Sequence, residues 1–316
     1  MKLQFSIIIP VYNRPHEIEE LLISLTKQTY KSDFEIVIVE DGSTNICKTI
    51  IELFADKLNI KYFFKDNSGA GQSRNYGMQR ANGNYFIILD SDVLLPKTYI
   101  DTVFAQLNSN FTDAYGGADA AHSSFSNLQK AINYSMTSVL TTGGIRGKKK
   151  SVGKFQPRSF NMGLSKVAFE KTKGFSEMKY GEDIDLTFRL WKLGFDTQFI
   201  ADAFVYHKRR STLKQFYKQT FNFGTARPLL SRKYPKSAKL TFWFPSLFIV
   251  GFDVAILLGL FLNWIFVFPF CIYFLFIFFD SLIQNKSIKI ASLSIITTYT
   301  QFLGYGLGFL KTVFKM

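Results

Sequence analysis

Two almost uncharged runs stand end to end late in this chain, Phe242 to Leu262 and Trp264 to Phe279. The first is long enough to cross a bilayer as a helix. The second is apolar throughout but short, and needs Asp280 to Ile283 to reach the far interface. Together they predict a hairpin that turns near Asn263-Trp264. Composition sharpens the constraint. Residues 241–316 hold only four basic and two acidic residues, yet 15 of the 35 phenylalanines. Asp253 falls inside the first run, and an unpaired carboxylate in lipid is costly, so it is expected at the bundle interior or at the interface. The third stretch, Ile288 to Leu310, contains Ser, Thr, Gln and Gly. It fits either a span or a helix lying along the interface, with Lys286, Lys289, Lys311 and Lys315 at its ends. A buried helical core of a soluble domain would need matching polar faces, which these runs lack.

The charge points the same way. The chain carries a formal +14, and from Ala203 to Leu240 there are ten basic residues and no acidic one. A basic block just before a first span places that side in the cytoplasm. The expected location is the inner (cytoplasmic) membrane, with the N-terminal part facing the cytoplasm. The apolar run Phe5 to Val11 is interrupted by Pro10 and closed by Asn13-Arg14, unlike a signal peptide. Positive charge alone also suits a nucleic-acid partner. Here the basic block abuts apolar spans, which fits an anionic lipid bilayer better, and no nucleic acid is expected. The two cysteines, Cys47 and Cys271, make neither a disulfide framework nor a zinc motif.

The N-terminal part alternates short apolar runs with helical patterns. Residues 3–9, 34–39, 60–64 and 85–89 read as buried strands. Helical patterns follow Pro15, cover 45–57 and open at 69–80. Such alternation indicates a sheet of parallel strands covered on both faces, whose ligands sit at the carboxyl ends of the strands. Those ends carry Tyr12-Asn13, Asp41 and Asp90-Ser91-Asp92. Further on, Phe125 to Val139 fits an amphipathic helix and 143–154 a mobile basic loop. Segments 166–171 and 182–193 read as helical, with short strands over Thr197 to Ile200 and Phe204 to His207.

Several residues invite chemistry. Asp90 and Asp92, one residue apart at a strand end, suit a hard divalent cation and the phosphates it holds. A helix N-cap before Pro96 would also account for them. Asp41 is either a ligand at the same sheet edge or a turn-former in Asp-Gly. Glycines at 69 and 71 allow close backbone approach, and Arg74 can neutralise phosphate, but no P-loop or dinucleotide fingerprint is present. Glu182, Asp183 and Asp185 begin a helix, where acids suit the dipole. Three carboxylates in four positions exceed what a cap needs, so one is a candidate general base. His207 fits a structural role or a ligand.

In this order the motifs resemble glycosyltransferase family 2, the inverting nucleotide-sugar enzymes. The matching stretches are SIIIPVYNR at 6–14, VEDGST at 39–44, NSGAGQSRNYGMQRANGNYFIILDSD at 67–92, FNMGLSK at 160–166 and GFSEMKYGEDIDLTFRLWKLGF at 174–195, followed by His207. The resemblance implies an α/β GT-A fold, a doubly wound mixed sheet over 1–225. A basic juxtamembrane segment (226–240) and membrane-associated helices (241–316) would follow. It implies that Pro10, Tyr12 and Asp41 form the nucleobase pocket, and that Arg74, Asp90 and Ser91 line the nucleotide-sugar site. Asp92 and His207 would hold Mn2+ or Mg2+, with Asp183 as catalytic base and Glu182 beside it. Asn161, Met162 and Gly163 would shape the donor-sugar and acceptor pocket. The implied partners are a nucleotide-sugar donor, with a UDP-sugar favoured, and a lipid-linked or membrane-proximal glycan acceptor. No Gln-x-x-Arg-Trp motif of processive members follows the base; QTFNFGTAR at 219–227 stands there instead. Single-sugar transfer in the assembly of lipid-linked surface glycans is therefore expected. A catalytically silent nucleotide-sugar-binding or scaffold protein with the same fold is the alternative.

Overall fold

The computed structural model describes residues 2–143 and 155–316. Of the loop expected over 143–154, all but Gly143 lies outside them. The described elements run β1 (Phe5–Val11), α1 (Pro15–Thr26), β2 (Glu35–Asp41), α2 (Lys48–Glu52), β3 (Ile60–Lys65), α3 (Ala70–Arg80), β4 (Tyr85–Leu89), β5 (Val93–Leu94), α4 (Tyr99–Ser109) and β6 (Ala114–Ala120). They continue with α5 (Asn127–Thr137), α6 (Val139–Thr142), β7 (Asn161–Ser165), α7 (Lys166–Thr172), α8 (Glu182–Lys192), β8 (Thr197–His207), α9 (Leu213–Lys233), α10 (Phe244–Phe261), α11 (Phe268–Asn285) and α12 (Ile288–Val313). The described residues group into two compact units, Met1–Ala120 with Gly147–His207, and Ala121–Arg146 with Lys208–Met316.

The first unit is built on one mixed sheet of order β3-β2-β1-β4-β7-β6-β8-β5. Strands β1 to β4 pair in parallel, as their unbroken apolar runs predict. Every residue of β1, β2 and β4 is buried, so alternate side chains feed two separate apolar layers. Ile7, Ile9, Ile36 and Ile38 pack with Ile18, Leu21, Leu22 and Leu25 of α1. Ile8, Val37, Val39 and Ile88 pack with Met78 of α3 and with Leu186 and Leu190 of α8. Each such side chain contributes roughly 1.5–3 kcal/mol when fully buried. These layers fix the strand ends at which Asp41 and Asp90 stand.

The other half of the sheet makes it mixed, as the resemblance implies, through strands the sequence reading did not place. Strands β6 and β7 were not foreseen, and the pairs β4–β7, β6–β7 and β5–β8 are antiparallel. The two short strands expected over 197–200 and 204–207 are one strand, β8. Its register against β6 shifts between Gly117 and Asp119. A Cβ on Gly117 would lie 1.9 Å from the Ala203 carbonyl oxygen, so close strand approach demands glycine there. That glycine also removes the β-forming side chain by which a strand is recognised. The helix expected over 45–57 shrinks to α2.

The second unit is helical. The amphipathic pattern from Phe125 becomes α5, capped by Ser126 and Gln129 in a reciprocal capping box. Helix α9 runs unbroken through 225–226 and ends in Arg232-Lys233. Along α9 lies α12, which also meets α5, α10 and α11. A Cβ on Gly304 would fall 2.2 Å from Thr220 Oγ1, and one on Gly308 2.2 Å from the Phe221 carbonyl oxygen. These small residues let the two backbones touch, as in membrane helix packing. Hydroxyl pairs reinforce α12, Ser135 with Thr297 at 2.6 Å and Ser281 with Ser294 at 2.7 Å. Among the described residues two helical stretches are long and apolar enough to cross a membrane, Leu240–Phe261 and Trp264–Asn285. They flank the expected turn, where Asn263 Oδ1 accepts from the Ile265 amide at 2.9 Å. Asp253 is exposed on α10, so the bundle-interior alternative fails. Asp280 accepts from Tyr134 Oη at 2.6 Å.

Candidate active site

The parallel strands end in carboxylates, and each carboxylate meets a different environment. Asp41 closes β2 and is buried. Its Oδ1 accepts from the Ser68 amide and its Oδ2 from the Gly69 amide, both at 2.9 Å, and Lys65 Nζ donates to Oδ1. Burial pushes its pKa up, but the hydrogen bonds from Lys65 and Ser68 outweigh this and the net shift is downward. Asp41 thereby ties the end of β2 to the loop that opens α3. Gly69 itself has φ +91°, which suits glycine at that corner.

Beyond β4 the chain turns through Asp90-Ser91-Asp92 into β5. The antiparallel register sets Val93 opposite His207, and so brings Asp92 beside an imidazole 115 positions away in sequence. His207 Nε2 is 3.3 Å from Asp92 Oδ1. Its Nδ1 is 3.7 Å from Asp119 Oδ2, at the end of β6. The ring stacks on Phe160 with centroids 4.8 Å apart. One ligand atom from each of Asp90, Asp92 and His207 lies within 4.8 Å of the others. Two carboxylate oxygens and a nitrogen, backed by a further carboxylate on the imidazole, fit a divalent cation such as Mg2+ or Mn2+.

Two guanidinium groups face these carboxylates. Arg14 Nη1 pairs with Asp92 Oδ2. Attraction to Asp92, opposed by burial, holds the Arg14 pKa above its usual value. Arg74, on α3, reaches Asp90 Oδ1 at 2.6 Å with one nitrogen and Glu182 Oε1 at 3.1 Å with the other. It is buried and lies over the Phe175 ring, 5.2 Å from the centroid.

Glu182 and Asp183 open α8 just after Gly181, whose φ of +80° turns the chain into the helix. Burial first, then the charge of Asp183, push the Glu182 pKa up to about 7, against the pull of Arg74. Asp183 Oδ1 accepts from the Ile184 amide at 2.8 Å, and Arg158 Nη1 is 3.8 Å from Oδ2. The site thus carries one end, Asp90, Asp92 and His207, that fits a cation, and a paired-carboxylate end, joined by Arg74.

The remaining sequence candidates are placed as follows. Pro10 is within β1, Tyr12 is exposed just after it, and Ser91 is buried in the turn between the aspartates. Asn161 is buried in β7, accepting from Tyr99 Oη at 2.6 Å and donating to the Ala203 carbonyl at 2.8 Å. Met162 lies in a core layer. A side chain on Gly163 would collide with the Tyr115 ring. These three are committed to the sheet rather than brought to the carboxylates. Sequence reading missed Arg14, Lys65, Asp119 and Arg158. Arg14 alone lay within a recognised motif, and its pairing with Asp92 is visible only once β1 and β4 are neighbours.

This arrangement is that of a nucleotide-sugar transferase fold, and the family model "Glycosyl transferase family 2" matches residues 6–171. The chain belongs to that family. Over 114 residues it is 37% identical to the poly(ribitol-phosphate) beta-N-acetylglucosaminyltransferase TarS of Staphylococcus aureus, covering 35% of this chain and 20% of TarS. The chain therefore spans about a fifth of that relative's length. The glycosyltransferase GlyG of Streptococcus pneumoniae is 25% identical over 269 residues, 82% of this chain and 85% of GlyG. Among solved structures, the mannosyltransferase PcManGT of Pyrobaculum calidifontis, in complex with GDP-Man and Mn2+, superposes over 100% of this chain and 88% of its own. Its TM-score is 0.63 at 15% identity. TarS 1–349 with UDP-GlcNAc gives a TM-score of 0.52 at 18% identity, covering 99% of this chain and 93% of that one. These structural likenesses establish the GT-A fold.

Proposed function

We propose that the chain transfers a single sugar from a nucleotide-sugar, with inversion, to a hydroxyl of a membrane-held, lipid-linked glycan. The observation that carries this reading is the cluster of Asp90, Asp92 and His207 at the carboxyl edge of the sheet, linked through Arg74 to Glu182 and its neighbour Asp183. Asp90, Asp92 and His207 would hold a divalent cation, whose chemistry is to stabilise the diphosphate leaving group. Asp41, with Pro10 and Tyr12, would meet the base at the nucleotide end, where it already anchors the Ser68-Gly69 loop. At the opposite end Asp183 takes the proton of the acceptor hydroxyl as it attacks the anomeric carbon. TarS binds UDP-GlcNAc and PcManGT binds GDP-Man. A UDP-sugar is the preferred donor because TarS is the nearer of the two in sequence.

In this division residues 1–225 carry the chemistry, 226–240 form the basic collar, and 241–316 hold the chain to the cytoplasmic leaflet. The two apolar helices and the acid-free basic stretch support that orientation. The test is turnover of a nucleotide-sugar panel by the detergent-purified chain, with Mn2+ or Mg2+ and a membrane extract as acceptor. Transfer into the lipid fraction is expected, with the anomeric configuration inverted. Asp183→Asn should lower transfer by about 10²–10⁴-fold while leaving donor binding intact. Full turnover in that variant, or no extract-dependent transfer for any donor, sinks the reading.

A further inference from the structure

Both guanidinium groups at the cation-binding end sit on carboxylates, but they are held differently. Arg74 is buried to 4% side-chain exposure, shared between Asp90 and Glu182, and covered by Phe175. Arg14 is 28% exposed and touches Asp92 through one nitrogen. Its backbone is nonetheless fixed. Asn13, at φ +53°, accepts on Oδ1 from the Thr44 and Asn45 amides, both at 2.9 Å, and its own amide donates to Ser43 Oγ at 2.8 Å. Pro15 follows at the first turn of α1. The main chain around Arg14 is therefore pinned, while its long side chain has solvent beside it.

Asp92 divides its oxygens between the two partners, Oδ2 to Arg14 and Oδ1 towards His207. Asp92 and Asp90 are thus each already paired with a guanidinium, while Asp119 stands on the other side of His207. A divalent cation entering alone would strip the Arg14 guanidinium of its carboxylate. A divalent cation arriving with an anionic diphosphate would not, because the diphosphate offers Arg14 a second bidentate partner.

We propose that Arg14 is an exchangeable counter-cation. It pairs with Asp92 until metal and donor arrive, then releases it to the divalent cation and turns to the diphosphate of the donor. Metal and nucleotide binding are thereby made mutually dependent. This rests on the metal site proposed above and assigns Arg14 as a positioning residue on top of it.

The test is Mn2+ binding to the chain in detergent, followed by electron paramagnetic resonance of the free ion, without nucleotide. UDP and GDP are titrated separately at saturating Mn2+. Arg14→Gln should bind Mn2+ alone about tenfold more tightly than wild type, yet bind the preferred diphosphate about tenfold more weakly. Arg14→Lys, which keeps the charge but not the fork, should fall between the two in both titrations. An Arg14→Gln chain with unchanged or weaker Mn2+ affinity makes the pair a plain structural ion pair and overturns the proposal. Should Arg14→Gln fail to fold, Arg14→Lys decides, since no shift in either titration refutes exchange. Asp92→Asn separates the two levels. If it abolishes Mn2+ binding while the Arg14 variants are neutral, the metal site stands and the exchange falls. If wild type binds no Mn2+ with or without diphosphate, both fall.

Discussion

Asp41 and Asp92 follow buried parallel strands of one sheet, yet they are secured by opposite means. Asp41 is held largely by the chain itself, through two backbone amides of the loop it anchors and a lysine from the next strand. Asp92 is held by side chains, an arginine and a histidine that come from distant segments. Backbone donors cannot leave without refolding the loop, whereas side chains can. Position at a strand end therefore makes a carboxylate a candidate ligand. The nature of its donors decides whether it also serves the fold.

Substitution should separate the two. Asp92→Asn removes a charge from the cation-binding end and should cut turnover by about 10²–10³-fold. The melting temperature should move by no more than a few degrees, because Arg14, which pairs with Asp92, is partly exposed to solvent. A large fall in melting temperature with metal binding intact would erase the distinction. Asp41→Ala strands the Ser68 and Gly69 amides and Lys65, and should cost about 2–4 kcal/mol in denaturant unfolding. The pH dependence sharpens the point. The folded-state pKa of Asp41 is lowered. Its contribution is therefore present above the ordinary carboxylate range and lost as pH falls through the folded value. The gap between wild type and Asp41→Ala should close in acid, and a gap that stays constant would show that Asp41 is not acting through its charge.

The parts that could be read from sequence are those in which one signal dominates. The runs FSIIIPV, EIVIV and YFIIL announce buried strands because nothing polar competes within them. The apolar helices were legible for the same reason. β6 was hidden because its middle, Gly116-Gly117, was shaped by close approach to neighbours that only the fold supplies. Helix α9 was masked by its many polar and basic positions and by Pro228, which sits inside it. At the site, Asp90, Asp92, Asp183 and His207 were recognisable by type and order. Their partners Arg14, Asp119 and Arg158 were not, since an ion pair between residues far apart leaves no periodic trace. Asn161 shows how a motif residue can also serve the sheet. It lies in a motif, but its polar atoms are spent on Tyr99 and Ala203.

Glu182 offers the finest test, because it lies between the two modes. A buried arginine holds it, yet its neighbour Asp183 repels its charge. The folded-state pKa of about 7 lies above the ordinary 4.5, so the folded chain holds this proton more tightly than the unfolded one. Stability should then fall as pH rises from the ordinary carboxylate range and level off above about 7, by at most about 3 kcal/mol. Glu182→Gln carries no such proton, so its melting temperature should lose less between pH 5 and pH 8 than that of wild type. Turnover should respond as well. Ionised Glu182 competes with Asp90 for Arg74, and the wild-type rate profile should carry an inflection near neutral pH that Glu182→Gln lacks, worth about two- to fivefold in rate. If the two chains share one pH profile in both measurements, Arg74 does not couple the two ends of the site. The cation-binding carboxylates and the α8 carboxylates would then act independently.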